Sequence, residues 1–192
     1  MTLDEWGDLP EDVEGEVVDG VLVEEEMTNY IHESVVSFLN AALRAWARPL
    51  GGLVGGSEAK FAVTDRRGRK PDLSVYLPNR PRPPGHAGVI RVPPGILVEV
   101  VSPRPRDARR DRVEKLDEYA RFGVDYYWIV DPQLRGLEIY ERGSDGRYVR
   151  ARSAGGGVLD DVPGCPGLTL DLDALWAEVE ELDGTGKDDE RG

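Results

Sequence analysis

The run Ile96-Leu97-Val98-Glu99-Val100-Val101 decides how the rest of the chain is read. It is too short for a helix and rich in β-branched residues, which predicts a strand buried on both faces of a sheet. Alternation puts Leu97, Glu99 and Val101 on one face and Ile96, Val98 and Val100 on the other. A strand of that kind lies inside a sheet, so the segments around it must supply its neighbours and its cover.

Downstream, the spacing predicts a helix from about Asp107 to Phe122, with Val113, Leu116 and Ala120 as its core stripe and Gly123 as its stop. Tyr126-Tyr127-Trp128-Ile129-Val130 is a second buried strand, and Leu137–Tyr140 and Tyr148–Arg150 alternate like meander strands with one wet face. Asp171 to Leu182 reads as a terminal helix. Upstream, Leu73–Leu77 is a strand, Asp65-Arg66-Arg67-Gly68 a turn, and Phe61-Ala62-Val63 the end of another strand. Residues 78–95, rich in Pro, Gly and Arg, form a long loop of the kind that often carries function. Gly51-Gly52 and Gly55-Gly56 lack the strand-then-helix setting of a dinucleotide site and read as a flexible approach to the next strand. Thr28 or Asn29 caps a helix running to about Ala47, with Ile31, Val35, Phe38, Leu39, Ala42 and Trp46 as its apolar stripe. Val17–Val23 is a hairpin turning at Asp19-Gly20. The order predicts an α/β fold with a mixed sheet.

The 192 residues suit one domain, expected over 1–182, with a disordered acidic tail at 183–192. With 40% hydrophobic and 32% charged residues, wholesale disorder is excluded. No apolar run approaches the roughly 20 residues that span a bilayer, and the acidic start MTLDEWGDLPEDVEGE does not read as a signal peptide. One cysteine, Cys165, excludes an internal disulfide, and two histidines argue against a histidine-rich zinc site. A cytoplasmic setting is expected. The net charge of −13 is unevenly spread: 34–159 holds 14 acids against 22 bases, with dense clusters at 66–70 and 104–115. Such clusters suit phosphate contacts, although arginine-rich loops are also simply soluble.

Glu99 stands inside an apolar strand, where an unpaired carboxylate is expensive. It calls for a partner such as a metal ion, or it is a gatekeeper at a strand edge or the partner of an arginine in a salt bridge. Asp72 opens the preceding strand after Pro71 and shares a face with Ser74 and Tyr76. Pro-Asp is also an ordinary strand start. Two acids on adjacent strands can hold one Mg²⁺, which takes few carboxylates and keeps several waters. Lys115 lies on one helical flank with Asp111, Tyr119 and Phe122. It either aims its ammonium at a site beneath the helix or snorkels and pairs with Asp111. Glu16 and His32 can each approach a metal site from the helical side, and a lone histidine is commonly structural. Cys165, between Gly164 and Pro166, reads as a turn residue without a histidine to activate it.

Several stretches then fall into one pattern: Arg69-Lys70-Pro71-Asp72-Leu73-Ser74-Val75, Ile96 through Pro103, Asp111, Lys115, Tyr119, Gly123 and Tyr127-Trp128-Ile129-Val130-Asp131-Pro132. Glu16-Val17-Val18-Asp19-Gly20 and His32 precede them, and Pro166 through Leu172 closes the series. In order and spacing, from about Leu3 to Leu182, this resembles the Uma-type family of restriction endonucleases within the PD-(D/E)XK nuclease superfamily. The resemblance implies a restriction-endonuclease-like core, a central mixed sheet flanked by helices. It implies a Mg²⁺ or Mn²⁺ site with Asp72 and Glu99 as metal-binding acids, Lys115 as the catalytic lysine and Glu16 as a further acid. His32 and Tyr119 are accessory residues in this reading. Arg69, Lys70, Arg106, Arg109 and Arg112 face the DNA backbone. The superfamily lysine two residues after the second acid is replaced here by Val101. The expected function is metal-dependent DNA hydrolysis, acting as a homodimer away from membranes. The alternatives are a catalytically weak or inactive nuclease-like DNA-binding or regulatory protein, or an interaction module whose acids are buried by arginines.

Overall fold

A computed structural model describes residues 1–10, 13, 15–23, 29–102 and 110–188, with side chains as far as 184. Thr2 caps a short helix, α1 (Leu3–Gly7), in a reciprocal box with Glu5. β1 (Glu16–Val18) and β2 (Val21–Val23) form the expected hairpin, with Asp19 and Gly20 both at positive φ, as a tight turn of this hand requires. Asn29 caps α2 (Tyr30–Ala47) by accepting a hydrogen bond from the His32 amide; Thr28 lies outside the described residues. β3 (Leu53–Gly55), β4 (Phe61–Ala62), β5 (Arg67–Arg69), β6 (Leu73–Tyr76) and β7 (Ile96–Val100) follow. A π-helical turn, Arg110–Glu114, runs straight into α3 (Lys115–Phe122), which ends at Gly123 with φ 99°. Then come β8 (Tyr126–Asp131), β9 (Gly136–Arg142), β10 (Tyr148–Ala154), the short pair β11 (Val158–Leu159) and β12 (Leu170–Asp171), and α4 (Leu172–Asp188).

Six strands make a mixed central sheet in the order β10-β9-β8-β7-β6-β3. Only β7 and β8 in it run parallel, Ile96 opposite Tyr126 through Val100 opposite Val130, joined by the crossover through α3. All five residues of β7 are buried, as the apolar run requires. On one face Ile96, Val98 and Val100 join Leu73, Val75, Trp128 and Val130 beneath Val35, Leu39 and Leu43 of α2 and Leu175 and Val179 of α4. On the other, Leu97 and Val101 meet Tyr127, Ile129 and Tyr119 of α3. A second sheet, β2-β1-β5-β4, packs with α1 around Trp6, whose indole donates to the Gly15 carbonyl at 3.0 Å. Gly68 lies so close to that indole that an added Cβ would meet it at 2.4 Å. No helix among the described residues is long and apolar enough to cross a membrane.

Four local expectations change. Arg67 and Gly68 belong to strand β5, because the reversal lies at 64–66, where the Thr64 amide donates to the Arg67 carbonyl. Leu53–Gly55 is no flexible approach: it is an edge strand paired with β6. The helix expected from Asp107 is described only from Arg110, and there it opens as a π turn. A π turn fits extra residues into the helical repeat, so the 3.6-residue stripe slips. Val113, expected in the core, is 57% exposed, while Asp111, Lys115 and Tyr119 are buried. Finally, α4 continues past Leu182 to Asp188, into the stretch expected as tail; residues 189–192 lie outside the described residues.

Candidate active site

The site forms where β7 passes beneath the start of α3. Lys115, the first residue of α3, is 2% exposed. Its Nζ lies 2.9 Å from Glu99 Oε1, 3.3 Å from Asp111 Oδ1 and 3.4 Å from Glu16 Oε1. It does not snorkel; the ammonium is enclosed by carboxylates. Glu99 Oε1 also accepts a hydrogen bond from the Tyr119 hydroxyl at 2.5 Å. β6 and β7 run antiparallel with Leu73 opposite Val98, so one further step of the register sets Asp72 beside Glu99. Asp72 Oδ2 accepts from the Val100 amide at 2.6 Å, and its Oδ1 lies 3.3 Å from His32 Nε2. The Tyr127 hydroxyl donates to the Asp111 carbonyl at 3.0 Å, fixing the π turn on the sheet. Asp72, Glu99, Lys115, Glu16, His32 and Tyr119 therefore converge, from five separate stretches of chain.

The charges are unevenly matched. Burial pushes the Glu99 carboxyl well up; Lys115 opposes this, and Asp111, Asp72 and Glu16 add to it. Asp111 is raised in the same way, by burial against the pull of Lys115 and Arg110. Burial acts on Glu16 too, but Lys115, Arg69, Arg110 and the Lys70 amide outweigh it and bring its carboxyl down to about 2. Lys115 is held above the usual lysine range, because its three acids more than offset its burial. His32 is raised as well, its burial outweighed by Asp72 and Glu33. Lys115, Arg69, Arg110 and His32 thus face Glu16, Asp72, Glu99 and Asp111, and the cost of burial falls chiefly on the Glu99 and Asp111 carboxyls.

Arg69 corrects an expectation. It has no exposed surface and cannot face a DNA backbone. Its guanidinium donates to Glu16 Oε2 at 2.7 Å and to both Glu118 oxygens at 2.7 and 2.9 Å. Lys70 lies 3.1 Å from Glu58, and Arg112 bridges Asp131 and Glu138 at 3.1 and 3.2 Å. Arg106 and Arg109 lie outside the described residues. Cys165 is buried and free, in a turn where its amide donates to the Val162 carbonyl. Two participants were not singled out as site residues. Asp111 stands in the sequence as a helical neighbour of Lys115 and as part of the family pattern, without a role of its own. Glu118 left no signal, since its partners Arg67 and Arg69 lie about fifty positions away.

Among the described residues no three His, Cys, Asp or Glu side chains form a ready-made metal cage. Mg²⁺ does not need one, because it is commonly held by one or two carboxylates with water completing its octahedron. The hard oxygens of Asp72 and Glu99 at neighbouring strands fit such an ion, whose charge would favour the ionised Glu99 that burial opposes.

The family model described as "Putative restriction endonuclease", Uma2, matches residues 3–173. Among solved structures, one described as "a putative nuclease belonging to DUF820", from Anabaena variabilis ATCC 29413, superposes with a TM-score of 0.73. The match covers 93% of this chain and 99% of that one at 18% identity, a likeness of fold. No curated protein matches the chain. With a family model spanning most of its length and a nuclease-like mixed α/β fold, the chain belongs to the Uma2 family of restriction-endonuclease-like proteins.

Proposed function

We propose that this protein is a divalent-metal-dependent endonuclease that hydrolyses phosphodiester bonds in DNA. The observation that carries the reading is the meeting of Asp72 and Glu99 at neighbouring strands, with the Lys115 ammonium 2.9 Å from Glu99. Asp72 and Glu99 would hold Mg²⁺ or Mn²⁺. Such an ion supplies Lewis-acid polarisation of the phosphate and a more acidic water. The chain's own groups do the rest. The Val100 amide and His32 hold the Asp72 carboxylate from two sides. Tyr119, a neutral donor because burial raises its hydroxyl, fixes Glu99 Oε1. Lys115 offsets the charge that builds on the phosphoryl oxygens and orients the attacking water.

The test is nicking of supercoiled plasmid at low salt with Mg²⁺, Mn²⁺ or EDTA, alongside folded Asp72→Ala and Glu99→Ala variants. Metal-dependent nicking that both variants lose supports the reading. A folded but inert wild type, or variants that cut as well, refutes it. One feature favours the alternative of a nuclease-like DNA-binding protein: Val101 stands where the superfamily strand carries a lysine. DNA retention without cleavage selects that alternative. One site per chain makes a homodimer the simplest route to a double-strand break, which sedimentation with and without DNA checks.

A further inference from the structure

Arg69 has no part in the chemistry just described, yet it is the most enclosed cation in the neighbourhood, with no exposed surface at all. Burying a guanidinium is costly, and an apolar side chain of its size would pack the same space more cheaply. Its contacts point in two directions, and both end on Lys115. Nε and Nη2 clasp the two oxygens of Glu118, which sits on α3 one turn beyond Lys115, so the clasp holds the helix that carries the ammonium. Nη1 holds Glu16 Oε2, while Oε1 of the same carboxylate accepts from the Lys70 amide at 3.0 Å and lies 3.4 Å from Lys115 Nζ. One side chain therefore fixes both the root of Lys115 and a carboxylate that gathers its tip.

We propose that Arg69 is a positioning residue: through Glu118 and Glu16 it sets where the Lys115 ammonium stands relative to Glu99, without itself meeting substrate. Its functional consequence rests on the nuclease reading above. Glu16 acts here as a link in the same relay. A lysine at position 69 keeps the charge but lacks the planar fork that spans two carboxylates at once.

The experiment reads Lys115 directly. The chain has four lysines, Lys60, Lys70, Lys115 and Lys187, so a ¹H–¹⁵N spectrum of side-chain ammonium groups is sparse. The Lys115 signal is identified by its loss in Lys115→Arg. In folded Arg69→Lys the Lys115 resonance shifts or broadens, and plasmid turnover falls about tenfold, the lower end for loss of an orienting partner. Half-saturating Mg²⁺ and DNA retention stay unchanged. Glu118→Gln, which keeps the side chain's shape and weakens the clasp, reads the same signals if Arg69→Lys does not fold. An unmoved resonance overturns the proposal, and so does a moved resonance with undiminished turnover. If the wild type does not cut, yet the resonance moves in Arg69→Lys, the nuclease reading falls and the positioning by Arg69 stands.

Discussion

The two faces of β7 differ by one residue of offset and by almost everything else. Ile96, Val98 and Val100 look toward α2 and α4 and join the larger hydrophobic core. Leu97, Glu99 and Val101 look toward α3, where Glu99 meets an ammonium and a tyrosine hydroxyl. The first face stabilises the fold by burial, at about 1.5–3 kcal/mol for each large apolar side chain. The second buries charges that cost stability even when paired. The contrast separates the work of holding the sheet together from the work of the site, and the two respond differently to substitution.

The sharpest break is on the charged face. Lys115→Met should lower cleavage per folded molecule by about 100-fold or more, the scale of losing one preorganised charge partner, and should also cost about 3–5 kcal/mol of stability, because it leaves buried carboxylates without their cation. Glu99→Gln should abolish metal-dependent cleavage and leave the chain at least as stable, because the native carboxyl already sits well above its usual range. Chemical denaturation beside the nicking assay checks both. On the apolar face, Leu39→Ala should cost about 2–5 kcal/mol by opening a cavity, with turnover per folded molecule unchanged.

Glu16 offers a finer comparison. Its carboxyl lies near 2 in the folded chain against an ordinary 4.5, so it favours folding above about pH 4.5. That contribution fades as pH falls toward 2. Between pH 6 and pH 3 the wild type should therefore lose about 1–2 kcal/mol more than Glu16→Gln, measured by urea unfolding at both pH values. An equal loss in the two would contradict the ion pairing assigned to Glu16. The smallest effect belongs to the surface. Arg121→Ala breaks an exposed helical pair with Asp117 and should shift stability by less than about 0.5 kcal/mol.

Much of this was legible in the residues. Ile96–Val101 and Tyr126–Val130 announce themselves, because apolar β-branched and aromatic runs of that length have few other homes. Asp72 and Glu99 stood out by position and by resemblance. β5 did not, because its inward residue is Arg69, held by ion pairs where a pattern search expects an apolar side chain. The π turn was equally hidden: it shifts the helical faces without changing composition, so Val113 was expected inside and Asp111 was not. Glu118 could not be paired in advance, since local spacing carries no information about a contact about fifty positions away.

The parallel pairing of β7 with β8 has a consequence for how the chain folds. It closes only after the crossover through α3 is in place, and β1 must also find β5 from far along the chain. Contacts this distant are entropically late and slow to form. The carboxylates from Glu16 to Asp111 should therefore lose their water as the sheets close, and φ-values near zero at Glu16 and Glu99 are the expected outcome.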